Sequence, residues 1–461
     1  MTLIKSISGI RGTIGGKSGD GLSPLDVVKF SVAFGQWIKN RNTGEKVKIV
    51  IGRDARISGE MVRNLVVGSL QSLGIDIIDL GLSTTPTVEI AVTDQKAHGG
   101  IILTASHNPK QWNALKLLNE MGEFISATDG ADVLSIADNE SYVFSEVNDL
   151  GKYYQNETYL HKHIQFILDL PQVNVEAIKK KNFKIAVDAV NSTGGIYVPA
   201  LLKALGCEVV ELYCEPTGNF PHNPEPLPEN LGEISSVVRE NNCHLGVVVD
   251  PDVDRLALVS EDGEMFGEEY TLVAVADYVL QNKKGPTVSN LSSTRALRDV
   301  TEKAGQVYHA SAVGEVNVVT KMKEVGAVIG GEGNGGIIYP ELHYGRDSLV
   351  GIGLFLSLLA KSGKSASFLR SRYPNYHISK NKIELTDDID VDDILEKIKT
   401  KYKNYPVNTV DGIKIEFDSE WVHLRKSNTE PIIRIYTEST NVTTANNLAN
   451  KIISDIKEVI K

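Results

Sequence analysis

Thr104-Ala105-Ser106-His107-Asn108-Pro109 and Asp250-Pro251-Asp252-Val253-Asp254-Arg255 are the two stretches that decide how this chain is read. Each directly follows an apolar run, Gly99 to Leu103 in the first case and Leu245 to Val249 in the second. Short apolar runs that end in polar turns predict buried strands, with the turns at their carboxyl ends. The first turn offers one serine hydroxyl. The second places three carboxylates at i, i+2 and i+4 beside an arginine.

Working outward, the same rhythm occurs three times. Lys46 to Ile51, a helical Ser58 to Leu73 and Ile75 to Leu80 precede the Ser106 loop. Phe183 to Val187, a helical Ile196 to Leu205, Glu208 to Tyr213 and a helical Glu229 to Asn241 precede the aspartates. Thr287 to Leu291, a helical Thr294 to Ala304, Gln306 to Ala310, a helical Val316 to Glu324 and Ala327 to Gly330 precede a loop around Glu332. Alternating strands and helices predict α/β units, with function at the carboxyl ends of the strands. The tail differs. Strands are expected at Ile383 to Leu385, Ile413 to Phe417, Trp421 to Leu424 and Ile432 to Tyr436, and amphipathic helices at Val391 to Tyr402 and Thr443 to Ile460. This reads as a smaller α+β domain. Ser23 before Pro24 is a helix start signal.

The loops suggest chemistry. Serine is a weak nucleophile without a base or a metal. No GxSxG elbow surrounds Ser106, so an esterase is disfavoured. His107 is adjacent in sequence and is expected to point away from the serine. Three aspartates in a turn suit a hard cation such as Mg²⁺ or Ca²⁺. An EF-hand fails because Arg255 stands where its sixth position needs glycine and a strand precedes the loop. A hydroxyl plus a three-carboxylate cation site points to phosphoryl transfer through a phosphoserine. The segment Gly330-Gly331-Glu332-Gly333-Asn334-Gly335-Gly336 contains a formal GxGxxG, which keeps a dinucleotide-binding dehydrogenase open as an alternative. No helix is expected to open at its last glycine, and Glu332 would repel a phosphate, so the loop is better suited to accept hydrogen bonds from sugar hydroxyls. Arg425-Lys426-Ser427-Asn428-Thr429-Glu430-Pro431 with Arg434 has the forked and hydroxyl donors of a phosphate clamp. The arginines of Ser8-Gly9-Ile10-Arg11-Gly12 and Gly52-Arg53-Asp54-Ala55-Arg56 could serve the same anionic centre or be ion-paired structural residues.

Composition sets limits. The 461 residues are too many for one ordinary core and suggest roughly three domains. A formal net charge of −11 argues against a general nucleic-acid or acidic-membrane surface. Cys207, Cys214 and Cys243 form no CxxC, which fits a reducing compartment. Met1 to Gly16 lacks a secretory h-region, and the apolar run Val350 to Ala360 is about half the length of a membrane span, so it is expected to be a buried helix. The expectation is a cytoplasmic protein that binds neither nucleic acid nor membrane.

Taken in order, these loops resemble those of the α-D-phosphohexomutases. The resemblance runs through SGIRG, GRDAR, TASHNP, Asp188-Ala-Val-Asn191, Gly218-Asn-Phe-Pro221, Pro228-Glu-Asn230, DPDVDR, the glutamate loop and RKSNTEP. It implies three similar α/β domains with mixed sheets plus a C-terminal α+β domain around a central active-site cleft, with boundaries at 1–152, 153–256, 257–370 and 371–461. It implies that Ser106 is carried as phosphoserine and, with Asp250, Asp252 and Asp254, holds Mg²⁺. Lys116 is implied in proton transfer, Arg11 near the reacting phosphate, and His107 and Arg255 in support of that centre. Glu332 and Asn334 are implied to contact sugar hydroxyls. Arg425, Ser427, Asn428, Thr429 and Arg434 are implied to bind the non-reacting phosphate. The substrates implied are sugar phosphates, with a hexose 1,6-bisphosphate intermediate, in a monomer or homodimer. Ala114 and Pro251 stand where the family favours glycine, so the loop backbone at Ala114 is expected to differ. GEGNGG and Val313-Gly314-Glu315 resemble a branch in which Glu315 could pair with a 2-ammonium group. Glucosamine phosphate therefore leads, with mannose or glucose phosphate next. A catalytically silent sugar-phosphate sensor is a further alternative, disfavoured by the intact Ser106, Lys116 and aspartates.

Overall fold

A computed structural model of the chain describes residues 2–6, 9–385, 390–426 and 432–460. The predicted phosphate-loop residues Ser427, Asn428 and Thr429 lie outside these described residues. The chain divides into two compact units, Met1–Thr271 with Asn334–Ser367, and Leu272–Gly333 with Phe368–Lys461.

Among the described residues the first unit carries a seven-stranded mixed sheet. Its order is Ile4–Ser6, Gly9–Thr13, Trp112–Leu118, Gly99–Leu103, Lys48–Arg53, Asp76–Leu82 and Tyr153–Gln155. Lys48–Arg53 is parallel to Gly99–Leu103 with Arg53 opposite Leu103, so the two loops that follow leave the same sheet edge side by side. Trp112–Leu118 returns antiparallel and puts Lys116 opposite Ile102. A second sheet runs Leu256–Ser260, Leu245–Val249, Lys184–Asp188 and Glu208–Leu212. There Lys184–Asp188 lies parallel to Leu245–Val249, again bringing two loops together. Strands buried on both faces account for the near-continuous apolar runs.

Ser23 caps the helix Pro24–Arg41, as the Ser23-Pro24 start signal predicts, and also forms a reciprocal capping box with Asp26. Asp347 caps Ser348–Ser362, a helix buried on every face, which explains the uniformly apolar run from Val350. No helix among the described residues is long and apolar enough to cross a membrane. Cys207, Cys214 and Cys243 are free thiols.

In the second unit Thr287–Asn290 lies parallel to both Tyr308–Ser311 and Ile329–Glu332. Farther along, five antiparallel strands follow the order His377–Glu384, Ile432–Ser439, Trp421–Lys426, Ile413–Glu416 and Val407–Asn408. The helices Val391–Lys401 and Val442–Ile460 cover this sheet through a core that includes Ile394, Ile398, Ile415, Leu424, Ile435 and Ile452. The expected α+β tail is therefore present. Several strands were not expected from sequence, and two of them flank the chemistry-bearing loops. Trp112–Leu118 is interrupted by the charge of Lys116, and Leu256–Ser260 follows the aspartate loop without a periodic cue. Ala114 thus lies in a strand opposite Arg11, where alanine is accommodated, and not in a loop with altered backbone.

Ile452 is fully buried in the C-terminal core. Replacing it by alanine is expected to cost about 2–5 kcal/mol. Native-state hydrogen exchange of the amides in Ile432–Ser439 would register that loss.

Candidate active site

The Ser106 loop is held from beneath by one buried arginine. Arg56, 1% exposed, donates Nη1 to the carbonyls of Pro109 and Trp112 at 2.7 and 3.0 Å. Its Nη2 donates to the carbonyls of Asn108, at 2.7 Å, and Ser106. Its Nε donates to Asp54 Oδ2 at 3.0 Å. A guanidinium has five N–H donors, and all are committed. Asp54 Oδ2 also accepts from Thr104 Oγ1 at 2.7 Å, and Thr104 Oγ1 accepts the Ser106 amide at 2.9 Å. Burial pushes the Asp54 carboxyl up, against the pull of Arg56. Of the two readings left open for the arginine-rich loop, Arg56 follows the structural one. Gly218 explains part of the Gly218-Asn-Phe-Pro221 motif. At φ +72°, an added Cβ would lie 2.1 Å from the Ala55 carbonyl oxygen. This close approach accompanies the stacking of Phe220 on Arg56, 5.1 Å from ring centroid to guanidinium carbon.

Ser106 itself has φ +48°, a conformation uncommon for residues other than glycine. Its Oγ donates to Asp250 Oδ2 at 2.8 Å. His107 does not point away as expected from sequence, for its Nδ1 lies 3.4 Å from Ser106 Oγ. Burial, then the charges of Arg255, Arg346 and Lys116, lower the His107 pKa to about 3. The ring is neutral near pH 7.

The carboxylates of Asp250, Asp252 and Asp254 converge, with one oxygen of each within 4.8 Å of the others, and could hold a metal ion. All three are fully buried. Asp250 Oδ1 accepts the amides of Asp254 and Arg255, both at 3.1 Å, while Val253 takes φ +65° to turn the loop. The carbonyl of Pro251 accepts Ser192 Oγ at 2.7 Å and Thr193 Oγ1 at 3.0 Å. Lys116 Nζ donates to Asp252 Oδ2 at 2.7 Å and reaches Asp254 Oδ2 at 3.5 Å. Thr85 Oγ1 donates to Asp252 Oδ2 at 2.5 Å, and Arg346 Nη2 donates to Asp254 Oδ2 at 2.7 Å. The other oxygens, Asp252 Oδ1 and Asp254 Oδ1, are buried without a hydrogen-bond partner among the described residues. Buried polar atoms left without partners are costly, so two such oxygens beside the serine hydroxyl fit an oxygen-coordinated divalent cation.

Burial and the neighbouring aspartates push Asp250 well above the usual carboxylate range. Asp252 is held below that range despite burial, because Lys116 stands beside it. The same contact holds Lys116 above the usual lysine range against burial, so its ammonium is a charged donor. Arg11 lies opposite Ala114, so it shares a sheet face with Lys116 two residues on. Arg255 Nη1 donates to Glu225 Oε1 at 3.1 Å. Thr85, Arg346 and Glu225 were not legible as site residues, since no local motif marks them.

In the second unit the Glu332 carboxylate is buried. Its Oε1 accepts Asn290 Nδ2 at 2.9 Å and the Gly314 amide at 3.1 Å. Glu315 starts the helix Glu315–Val325 and is also buried. Arg425 and the exposed Arg434 stand directly opposite on antiparallel strands. Like charges so placed destabilise a sheet pair unless an anion lies near. Asp411 pairs with Arg425 at 2.8 Å. Asn334 belongs to the first unit, where its Oδ1 accepts the Gly336 amide at 3.1 Å. The strand Gly336–Ile338, not a helix, follows the glycines, which removes the basis for a dinucleotide fingerprint.

Comparison with known proteins agrees with this arrangement. Four family models match in chain order. They are described as phosphoglucomutase/phosphomannomutase alpha/beta/alpha domain I at residues 3–143, domain II at 159–263, domain III at 267–376, and C-terminal domain at 382–454. The chain belongs to the phosphoglucomutase/phosphomannomutase family of α-D-phosphohexomutases and is thus an isomerase. A phosphoglucomutase/phosphomannomutase of Thermococcus kodakarensis is 35% identical over 98% of this chain and 99% of its own. A phosphoglucosamine/phosphogalactosamine mutase of Sulfurisphaera tokodaii is 32% identical over 96% of this chain and 97% of its own. A crystal structure of a family member from Burkholderia thailandensis superposes with TM-score 0.86 at 25% identity, covering 100% of this chain and 98% of its own.

Arg56→Ala would leave Asp54 buried without its cation and four carbonyls without a donor. The expected loss is about 3–5 kcal/mol of stability, read from thermal unfolding. Arg56→Lys is expected to recover only part of it, because three donors cannot serve five acceptors.

Proposed function

We propose that this chain interconverts hexose 6-phosphates and 1-phosphates through a phosphoserine at Ser106 and a hexose 1,6-bisphosphate, with Mg²⁺ at Asp250, Asp252 and Asp254. The carrying observation is the Ser106 hydroxyl 2.8 Å from Asp250, beside two buried carboxylate oxygens without a hydrogen-bond partner among the described residues. When bound, Mg²⁺ supplies charge neutralisation to the transferring phosphoryl group.

The chain's own residues do the rest. The bond from phosphorus to Ser106 Oγ breaks as one forms to the free hydroxyl of a hexose monophosphate; Ser106 Oγ gains one proton from the Lys116 ammonium, and the proton released by that hydroxyl restores the ammonium. The bisphosphate then turns over, and its other phosphate returns to Ser106. Lys116, held charged by Asp252 and Asp254, serves in proton transfer as the donor and stabilises developing charge. Arg11, on the Lys116 face of the sheet, offers a second positive charge. Neutral His107 and Arg255 support the serine loop. Glu332, Asn334 and Glu315 contact the sugar, and Arg425 with Arg434, Ser427, Asn428 and Thr429 holds the non-reacting phosphate. The facing arginine pair supports that clamp.

Glucosamine phosphate is the favoured substrate. Glu315 offers a carboxylate for a 2-ammonium group, and the Sulfurisphaera tokodaii relative is named for amino sugars. The name of the Thermococcus kodakarensis relative keeps mannose and glucose phosphates as the second reading. The proposed modules are 1–152, 153–256, 257–370 and 371–461, in a cytoplasmic monomer or homodimer. The free thiols fit a reducing compartment.

Ser106→Ala is expected to abolish normal turnover, and near-wild-type turnover in that variant would sink the phosphoserine. Measuring kcat/KM for the bisphosphate-primed enzyme on glucosamine, mannose and glucose phosphates is expected to favour the amino sugar about tenfold, or about 1.4 kcal/mol. Glu315→Gln should erase that preference. Equal rates on all three sugars would move the protein to the broad-specificity reading.

A further inference from the structure

Behind the aspartate loop lies a buried charge cluster with no role in the reaction above. His343 sits between two carboxylates, with Nδ1 3.3 Å from Glu89 Oε2 and Nε2 3.3 Å from Asp347 Oδ2. Asp347 Oδ2 also meets His163 Nε2 at 2.9 Å, and His163 Nδ1 meets Thr87 Oγ1 at 2.8 Å. Glu89, Asp347 and His163 are buried. Two carboxyl groups placed at the two ring nitrogens favour the imidazolium, the form with a donor on each. Burial opposes that charge, but Asp347 and Glu89 outweigh it and raise the His343 pKa to about 10. His163, on the helix Tyr159–Leu168, stands edge-on to this ring with 6.5 Å between centroids.

The two carboxylates lead to the aspartate loop by separate routes. Glu89 belongs to the helix Thr85–Asp94, whose first residue grips Asp252 twice. Thr85 Oγ1 donates to its Oδ2 at 2.5 Å, and the Thr85 amide donates to its carbonyl at 2.9 Å. Asp347 follows Arg346, which donates to Asp254 Oδ2 at 2.7 Å. Asp347 Oδ1 accepts the Leu349 amide at 2.8 Å at the head of the helix Ser348–Ser362, and the Ser348 amide donates to the Val253 carbonyl at 3.2 Å. Gly345 passes so close to Glu89 that an added Cβ would lie 1.9 Å from Oε2.

We infer that His343 is a positioning residue, a charged cross-brace that ties the helix Thr85–Asp94 to the segment 343–347. It thereby keeps Thr85 on Asp252 and Arg346 on Asp254, and so fixes the spacing of two carboxylates in the divalent-cation site. The inference rests on the assignment of that site made above.

The test is direct binding of Mn²⁺, a carboxylate-seeking stand-in for Mg²⁺, followed by electron paramagnetic resonance on the full chain. His343→Gln and Glu89→Gln are each expected to raise the Mn²⁺ Kd about tenfold, with kcat at saturating Mg²⁺ changed less. Should His343→Gln fail to fold, Glu89→Gln carries the test from the other side of the same contact. Folded variants that bind Mn²⁺ within about twofold of wild type would overturn the brace, even if their Tm values fall. Wild-type chain that binds no Mn²⁺, or Asp252→Asn that binds it unchanged, would instead overturn the metal assignment. The Tm deficit of His343→Gln provides a second readout. A raised folded pKa contributes stability fully below the ordinary histidine value of about 6.5 and loses it as pH rises through about 10. The deficit should therefore shrink between those values.

Discussion

The buried pair of Arg56 and Asp54 is the constraint on which the serine loop depends. Four backbone carbonyls of residues 106–112 turn inward to one guanidinium, and the Asp54 carboxylate fixes that guanidinium from two residues away in the same loop. A flexible loop could not hold Ser106 at φ +48° without such over-determination. Parallel pairing of Lys48–Arg53 with Gly99–Leu103 brings this pair to the serine loop, because it delivers both loops to one edge. The sequence elements GRDAR and TASHNP are thus halves of a single structural device. The arginine needed inside it cannot be replaced by another cation of equal charge and different shape.

Electrostatics divide the aspartates into two kinds. Asp250 receives two backbone amides and the serine hydroxyl, and lies well above its ordinary titration range through burial and like charge. Asp252 is matched to Lys116 and Asp254 to Arg346. One carboxylate therefore faces the Ser106 hydroxyl while two are anchored by cations. Burial, then the charge of Arg255, lowers the His107 pKa despite Asp254, which suits a hydrogen-bonding neighbour of Ser106 and not an added charge.

Sequence patterns revealed the frame well where one physical signal dominated. Apolar runs located the parallel strands, Ser23 and Pro24 located a helix start, and amphipathic periods located the two C-terminal helices. The antiparallel strand Trp112–Leu118 was not legible because Lys116, needed at the aspartates, interrupts its apolar pattern. Ser106 and the three aspartates announced themselves by spacing. Thr85, Glu225, Arg346 and His343 did not, since each is recruited by tertiary proximity from a segment whose local sequence has another purpose. His107 was misjudged for a related reason. Adjacency in sequence fixes direction only in regular structure, and a left-handed residue before it turns the ring toward the serine.

The pairing of Asp252 with Lys116 and of Asp254 with Arg346 has a bearing on the fold of the chain with no cation bound. In zinc fingers the ligands are held by the metal alone, and chelation is denaturation. Here the anionic pocket already contains its own cations and sits on strands whose cores are complete elsewhere. Apoprotein and holoprotein should then share one fold. A chain stripped of a cation held there would stay intact and ready to be reloaded.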